Sequence, residues 1–257
     1  MGKFPQKVAI LSALELAKEI GVSDASIVRL SRSIGFKGFA DLKSYVIKEL
    51  GTTKTPSKRI EDNWYNFNTS HDIVDKMVQS DLKGLEEFLT EIDLEELDRA
   101  VNYINKSKKT YVMGIGASKA VAQFLSWHMK RIMLEVECLQ DGGVGLYESI
   151  THIDREDTLI IITFPGTLKD EKKALEFAKK RAAKVITITG SIFSEMSLAS
   201  DVVFKVSTEN EGFFNSYVVV MELCNILLMG LLEKNKEKIH KELLEKREEM
   251  SFLYSED

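Results

Sequence analysis

The segment TLIIITFPGTLKDEKKALEFAKK, residues 158–180, runs from an apolar stretch through a Pro-Gly turn into a helical pattern. A strand as apolar as TLIIIT (158–163) has no face to offer to water, so both sides must be covered by helices, as they are in parallel sheets. The same texture recurs at YVMGI (111–115), VECL (136–139), KVITIT (184–189) and VVFKV (202–206). Helical patterns such as 118–133 and 169–182 lie between most of these runs. Strands alternating with helices predict a five-stranded parallel sheet inside an α/β/α sandwich.

The flanks of this region are helical. Residues 71–92 keep a helical period through Ile73, Met77, Leu82, Leu85, Phe88 and Leu89, and Asp93 caps a further helix to about Ile104. Downstream, FFNSYVVVMELCNILLMGLL (213–232) is long enough to span a bilayer, yet Asn215, Glu222 and Asn225 interrupt it. A helix buried in a core or a dimer interface is the expectation. Residues 233–249 are highly charged and read as a solvated helix. The stretch MGKFPQKV lacks the apolar run of a signal peptide, so a cytoplasmic protein without membrane contact is expected.

The first 50 residues form a separate, small all-α head. Ser12 and Glu15 make a capping-box pattern, and Leu14, Ala17 and Ile20 give a short helical face that Gly21 ends. Ser23 caps a second helix, whose Ile27, Leu30 and Ile34 are predicted to face inward before Gly35 closes it. Two helices joined across Gly21-Val22-Ser23 have helix-turn-helix spacing, with the second in the reading position. Its exposed positions are then Asp24, Ala25, Ser26, Arg29 and Arg32. An ordinary solvated helix pair explains the same pattern, but the charge is lopsided. Residues 1–60 carry 11 Lys+Arg against 5 Asp+Glu, a balance of +6, while residues 61–257 hold 24 and 35, a balance of -11. A basic head on an acidic body suggests that only the head meets a polyanion. GTTKTPSKR (51–59) has linker composition.

Two strand-to-helix turns are candidate anion sites. YVMGIGAS supplies Gly114 and Gly116 for close backbone approach and Ser118 as a hydroxyl at a helix start. It is not a dinucleotide fingerprint, because the third glycine is missing. ITFPGTLKD offers Thr163, Gly166 and Thr167. Both turns follow strands, where open parallel sheets bind ligands. A plain tight turn is the alternative for each.

The segment VSDASIVRLSRSIGFKGFADLK, with its knot Gly35-Phe36-Lys37-Gly38-Phe39, resembles the RpiR family of bacterial transcriptional regulators. The likeness runs through most of residues 5–50, and on this reading the family's leading helix is missing. Residues from about 95 to 233 resemble a sugar isomerase (SIS) domain, the effector module of that family, which binds phosphosugars. The first motif of that domain, Gly-x-Gly-x-Ser, is present as Gly114, Gly116 and Ser118. The second, Ser-x-Ser-Gly-x-Thr, is altered: Thr163 replaces the first Ser, Pro165 the second and Leu168 the Thr, with Thr167 an adjacent substitute. The backbone N–H groups of Gly166, Thr167 and Leu168 remain as donors on this reading.

The resemblance implies a helix-turn-helix domain over 1–50, a linker over 51–62 and a SIS domain with flanking helices over 63–257. It implies operator contacts from Ser23, Ala25, Ser26, Arg29, Arg32 and Lys37, and effector contacts from Gly116, Ala117, Ser118, Thr163, Gly166, Thr167 and Glu211. The expected function is a sugar-phosphate-responsive regulator that binds operator DNA as a homodimer or higher homo-oligomer, without a cofactor. A SIS-type sugar-phosphate isomerase is the alternative, for which Glu211 and His152 are the available bases. The attached head and the altered second turn argue against it, so no catalytic residue is assigned. No metal is expected either, since there is no CxxC and the four histidines lack ligand spacing. Cys138 and Cys224 read as reduced and buried.

Overall fold

The computed structural model describes residues 7–9, 11–51, 68–164, 167–192, 194–237 and 239–241. Of the expected linker only Gly51 falls within them, as the last residue of a helix; residues 52–62 and the charged stretch beyond 241 lie outside the described residues.

The head holds α1 (Ala13–Ile20), α2 (Asp24–Ser33) and α3 (Phe39–Gly51). Ser12 and Glu15 form the capping box, each side chain taking the other's backbone N–H. Gly21 ends α1 in the left-handed conformation at φ 76, and the Ser23 hydroxyl then accepts from the Ser26 N–H to start α2. The head core gathers Val8, Leu16, Ala17, Ile27, Phe39 and Val46. One expectation is corrected here. Ile27 faces inward, but Leu30 is 51% and Ile34 55% exposed. The buried stripe of α2 runs instead from Ile27 to Ser31, whose hydroxyl donates to the Ile27 carbonyl at 2.8 Å. Ile34 falls beyond the last helical residue, so the helical period no longer governs where its side chain points.

The body is a three-layer sandwich. Helices α4 (Ser70–Glu91) and α5 (Leu94–Lys106) precede β1 (Thr110–Gly114), a 3₁₀ turn (Gly116–Ser118) and α6 (Lys119–Arg131). There follow β2 (Val136–Leu139), α7 (Gly143–Ile150), β3 (Thr158–Thr163), α8 (Lys169–Lys180), β4 (Lys184–Thr189), α9 (Glu195–Ala199), β5 (Val202–Lys205) and α10 (Val218–Lys234). All strands pair in parallel, in the order β2-β1-β3-β4-β5.

The alternation of a strand splits its apolar residues between two cores. Val112, Ile160, Ile162, Ile186 and Ile188 meet α5, α6 and α10 on one face. Tyr111, Met113, Leu159, Ile161 and Val185 meet α7, α8 and α9 on the other. Residues 213–217 are not helical, contrary to the expectation of a helix over 213–232. Their hydrogen bonds are local, Ser216 N–H to the Thr208 carbonyl and the Ser216 hydroxyl accepting from Val218 N–H, as Ser favours ahead of a helix. The apolar side of α10 enters the core through Val219, Val220, Leu223, Cys224, Leu227 and Leu231, while Glu222 and Asn225 stay exposed. Burial pushes the Cys224 thiol up to about 12, so it stays protonated, and both cysteines are free. No helix among the described residues is long and apolar enough to cross a membrane.

Candidate functional site

In the strand order β2-β1-β3-β4-β5 the chain leaves β1 for one edge of the sheet, then returns across it to β3. The reversal lies between β1 and β3, and ligands of open parallel sheets bind where strand order reverses. Gly114 pairs with Ile162, so the turns after β1 and β3 leave the sheet side by side.

The β1 turn depends on its glycines. A Cβ at Gly114 would stand 2.5 Å from the Ser118 carbonyl oxygen and 2.9 Å from the Ala122 Cβ, so only glycine lets the turn fold onto the strand. Gly116 holds a left-handed φ of 64 with open space around it. Gly116 and Ala117 are exposed at the mouth of the turn, and Ser118 is fully buried behind them. Its hydroxyl has no hydrogen-bond partner among the described residues. A buried hydroxyl left unpaired costs about 1–3 kcal/mol, which a ligand oxygen would recover.

The β3 turn differs from its reading in sequence. Pro165 and Gly166 lie outside the described residues, and Thr167 is exposed. Thr163 is buried and donates its hydroxyl proton to Glu171 Oε2 at 2.8 Å. The Leu168 N–H donates to the same oxygen at 2.8 Å. Glu171, in the first turn of α8, is 2% exposed, and burial pushes its carboxyl above the ordinary carboxylate value, against the pull of these two donors. The Leu168 N–H is therefore not open to a ligand in this state, contrary to expectation.

Two further groups frame the crevice without any signal in the sequence. Tyr217 stacks edge-on against Phe164 at the end of β3, with ring centroids 6.0 Å apart, and its hydroxyl is buried and unpaired among the described residues. Asp170 accepts from the Gly143 N–H at 3.0 Å and the Tyr147 hydroxyl at 3.3 Å, which ties the β2 turn to the head of α8. Glu211 is exposed, on the long segment after β5, and makes no hydrogen bond or ion pair with the described residues. His152 precedes β3 and so lies toward the N-terminal ends of the strands, whereas the turns leave their C-terminal ends. A depression of about 400 Å³ between α8 and α9 is spanned by the Lys172–Glu195 ion pair and has no unpaired buried group.

In the head, the start of α2 presents an exposed hydrogen-bonded row. The Ser23 and Ser26 hydroxyls lie 2.8 Å apart, and Arg29 donates to the Ser26 Oγ at 3.1 Å. Ala25 is exposed beside them, and Asp24 turns an oxygen to the Ala25 N–H. Arg32 lies a turn further on, its Nε donating to the Lys37 carbonyl at 3.3 Å. The Lys37 side chain is exposed, while its N–H is held by Asp41 at 2.9 Å. Phe39 anchors the glycine-aromatic knot in the head core. The six candidate residues thus fall into a row of four at the helix start and a pair near its end.

Residues 103–230 match the SIS domain family, and residues 2–53 match the helix-turn-helix domain of the rpiR family. A helix-turn-helix transcriptional regulator of Clostridium perfringens, itself uncharacterized, is 29% identical over 84% of this chain and 77% of its own length. The regulator RpiR of Escherichia coli is 27% identical over 73% of this chain and 62% of its own. Among solved structures, the sugar isomerase domain of an RpiR transcription factor from Sphaerobacter thermophilus superposes with a TM-score of 0.64 at 24% identity, covering 67% of this chain and 96% of that one. The Vibrio vulnificus NanR protein complexed with ManNAc-6P gives 0.66 at 22% identity over 98% and 90%.

Proposed function

Since this chain belongs to the RpiR family of transcriptional regulators, a helix-turn-helix head followed by a SIS domain, we propose that its α2 reads operator DNA and that its crevice between β1 and β3 senses a sugar phosphate. One observation carries the sensor reading: Ser118 holds a fully buried, unpaired hydroxyl at the start of α6, on the turn beside the strand-order reversal. The phosphate then meets Gly116, Ala117 and Ser118, and the rest of the sugar faces Thr167 at the neighbouring turn. A sugar phosphate is also what the Vibrio vulnificus relative holds. In the head, Ser23, Ala25, Ser26 and Arg29 meet base edges and phosphates, and Arg32 and Lys37 hold the DNA backbone. The proposed domains are 1–50, a linker over 51–62, and 63–257.

We further propose a homodimer acting in the cytoplasm. Paired heads must reach major grooves about one helical turn apart. The long helix α4 buries no residue completely, and leaves Ile73, Val74, Val78, Leu82 and Leu89 exposed. A second copy covering that stripe removes it from water. The isomerase alternative needs an acid and a base around one sugar. His152 precedes β3 and the segment bearing Glu211 follows β5, so they lie at opposite ends of the parallel strands, which favours a sensor without turnover.

Thermal unfolding against a panel of sugar phosphates tests the sensor reading. A ligand at ten times its Kd stabilises the folded chain by about 1.4 kcal/mol, which moves Tm by roughly 3–5 °C. A panel in which no sugar phosphate moves Tm overturns it.

A further inference from the structure

The β3 turn already holds a carboxyl group of the chain itself. Thr163 and Leu168 approach Glu171 Oε2 from the strand end and the helix start, each at 2.8 Å. Those are the donors an anion at the head of α8 would engage. Glu171 is almost wholly buried, and no charged side chain among the described residues compensates it. Next to it, Asp170 is committed to Gly143 and Tyr147. Across the sheet reversal, the Ser118 hydroxyl is buried with no such partner. The two turns are therefore unequal: one is occupied by the chain itself and the other has an unmet hydrogen bond.

Resting on the sensor reading above, we propose that Glu171 is the resident anion of the β3 turn, so that the β1 turn alone takes the effector's phosphate. The part of the effector that reaches the β3 turn is then a hydroxyl or ammonium group, which a carboxylate tolerates or attracts. A second phosphate or carboxylate there is repelled. The effector class narrows to sugars carrying one anionic group.

A glutamate three residues after a helix cap also serves the helix by accepting the cap N–H, and glutamine serves equally well. Glu171→Gln therefore keeps the cap and removes only the charge, whereas Glu171→Ala removes both. Inorganic phosphate is the probe, titrated by calorimetry into the unmodified chain and each variant, with folding checked by circular dichroism. Glu171→Gln is expected to bind phosphate roughly fivefold or more tightly than the unmodified chain, because the like charge that repels it is gone, and Glu171→Ala, which also frees the two donors, at least as tightly. Adding Ser118→Ala to the Gln variant should leave the gain intact, since the new site is the β3 turn. Unchanged phosphate affinity in the folded Gln and Ala variants overturns the proposal. So does a gain that disappears with Ser118→Ala, which would place the phosphate at the β1 turn. If no sugar phosphate binds any form while Glu171→Gln still gains phosphate, the sensor reading fails and the resident-anion assignment stands.

Discussion

Arg29→Ala is expected to lower affinity for a selected operator by about 1–3 kcal/mol, roughly five- to 150-fold, without unfolding the head. The side chain is exposed on the first turns of α2, and the Ser26 Oγ holds it from one side. That bond limits the rotamers Arg29 samples, which reduces what must be ordered when it reaches a guanine edge in bidentate fashion. Stability should hardly change, because Arg29 contributes nothing to the cluster of Leu16, Ile27 and Phe39. Lys37→Ala is the contrast. An exposed lysine on phosphate should weaken all DNA sequences alike and reduce the salt slope by about one. Fluorescence anisotropy on operator and scrambled duplexes separates the two effects. Equal losses on both duplexes for Arg29→Ala would remove it from the groove.

Ser118→Ala is expected to cost the effector about 1.5–3 kcal/mol, roughly ten- to 150-fold in Kd, while leaving the fold at least as stable. The two halves have one cause. A buried hydroxyl without a partner is a liability in the free protein, so alanine relieves it, and a charge-assisted hydrogen bond to the ligand is lost with it. Because the second turn lacks two hydroxyls at Pro165 and Leu168, the starting affinity is expected to be in the high-micromolar range or above by the same arithmetic. Calorimetry gives Kd, and thermal unfolding gives the other half. A variant that is destabilised yet binds normally would make Ser118 a packing residue.

The sheet was legible because buried parallel strands leave no choice of face. TLIIIT, VECL and KVITIT coincide with β3, β2 and β4, since apolar residues on both faces of a strand cannot be mistaken for an amphipathic helix. The caps at Ser12, Ser23 and Asp93 were legible for a local reason, as each is satisfied by its own next turn. Where the outcome depended on packing between elements, periodicity misled. Leu30 and Ile34 follow the spacing of a core stripe but lie outside the core. Glu171 stands in KDEKK, a run that reads as solvent-facing. Its contact with Thr163 at the end of β3 goes with its burial, and the cue was its place in the first turn of a helix whose cap residue, Leu168, offers no side-chain acceptor. Tyr217 reaches Phe164 across a crossover of more than fifty residues, a contact no local pattern encodes.

The proposed role of this chain is to couple DNA reading in the head to sugar-phosphate binding in the body. Its most direct test is one anisotropy titration of the full-length protein on a duplex enriched from a random pool, with and without saturating sugar phosphate. Coupling energies between such sites are typically about 1–3 kcal/mol, so the effector is expected to change operator affinity by roughly five- to 150-fold. Operator binding that stays the same at saturating concentrations of every sugar phosphate that raises Tm would contradict it.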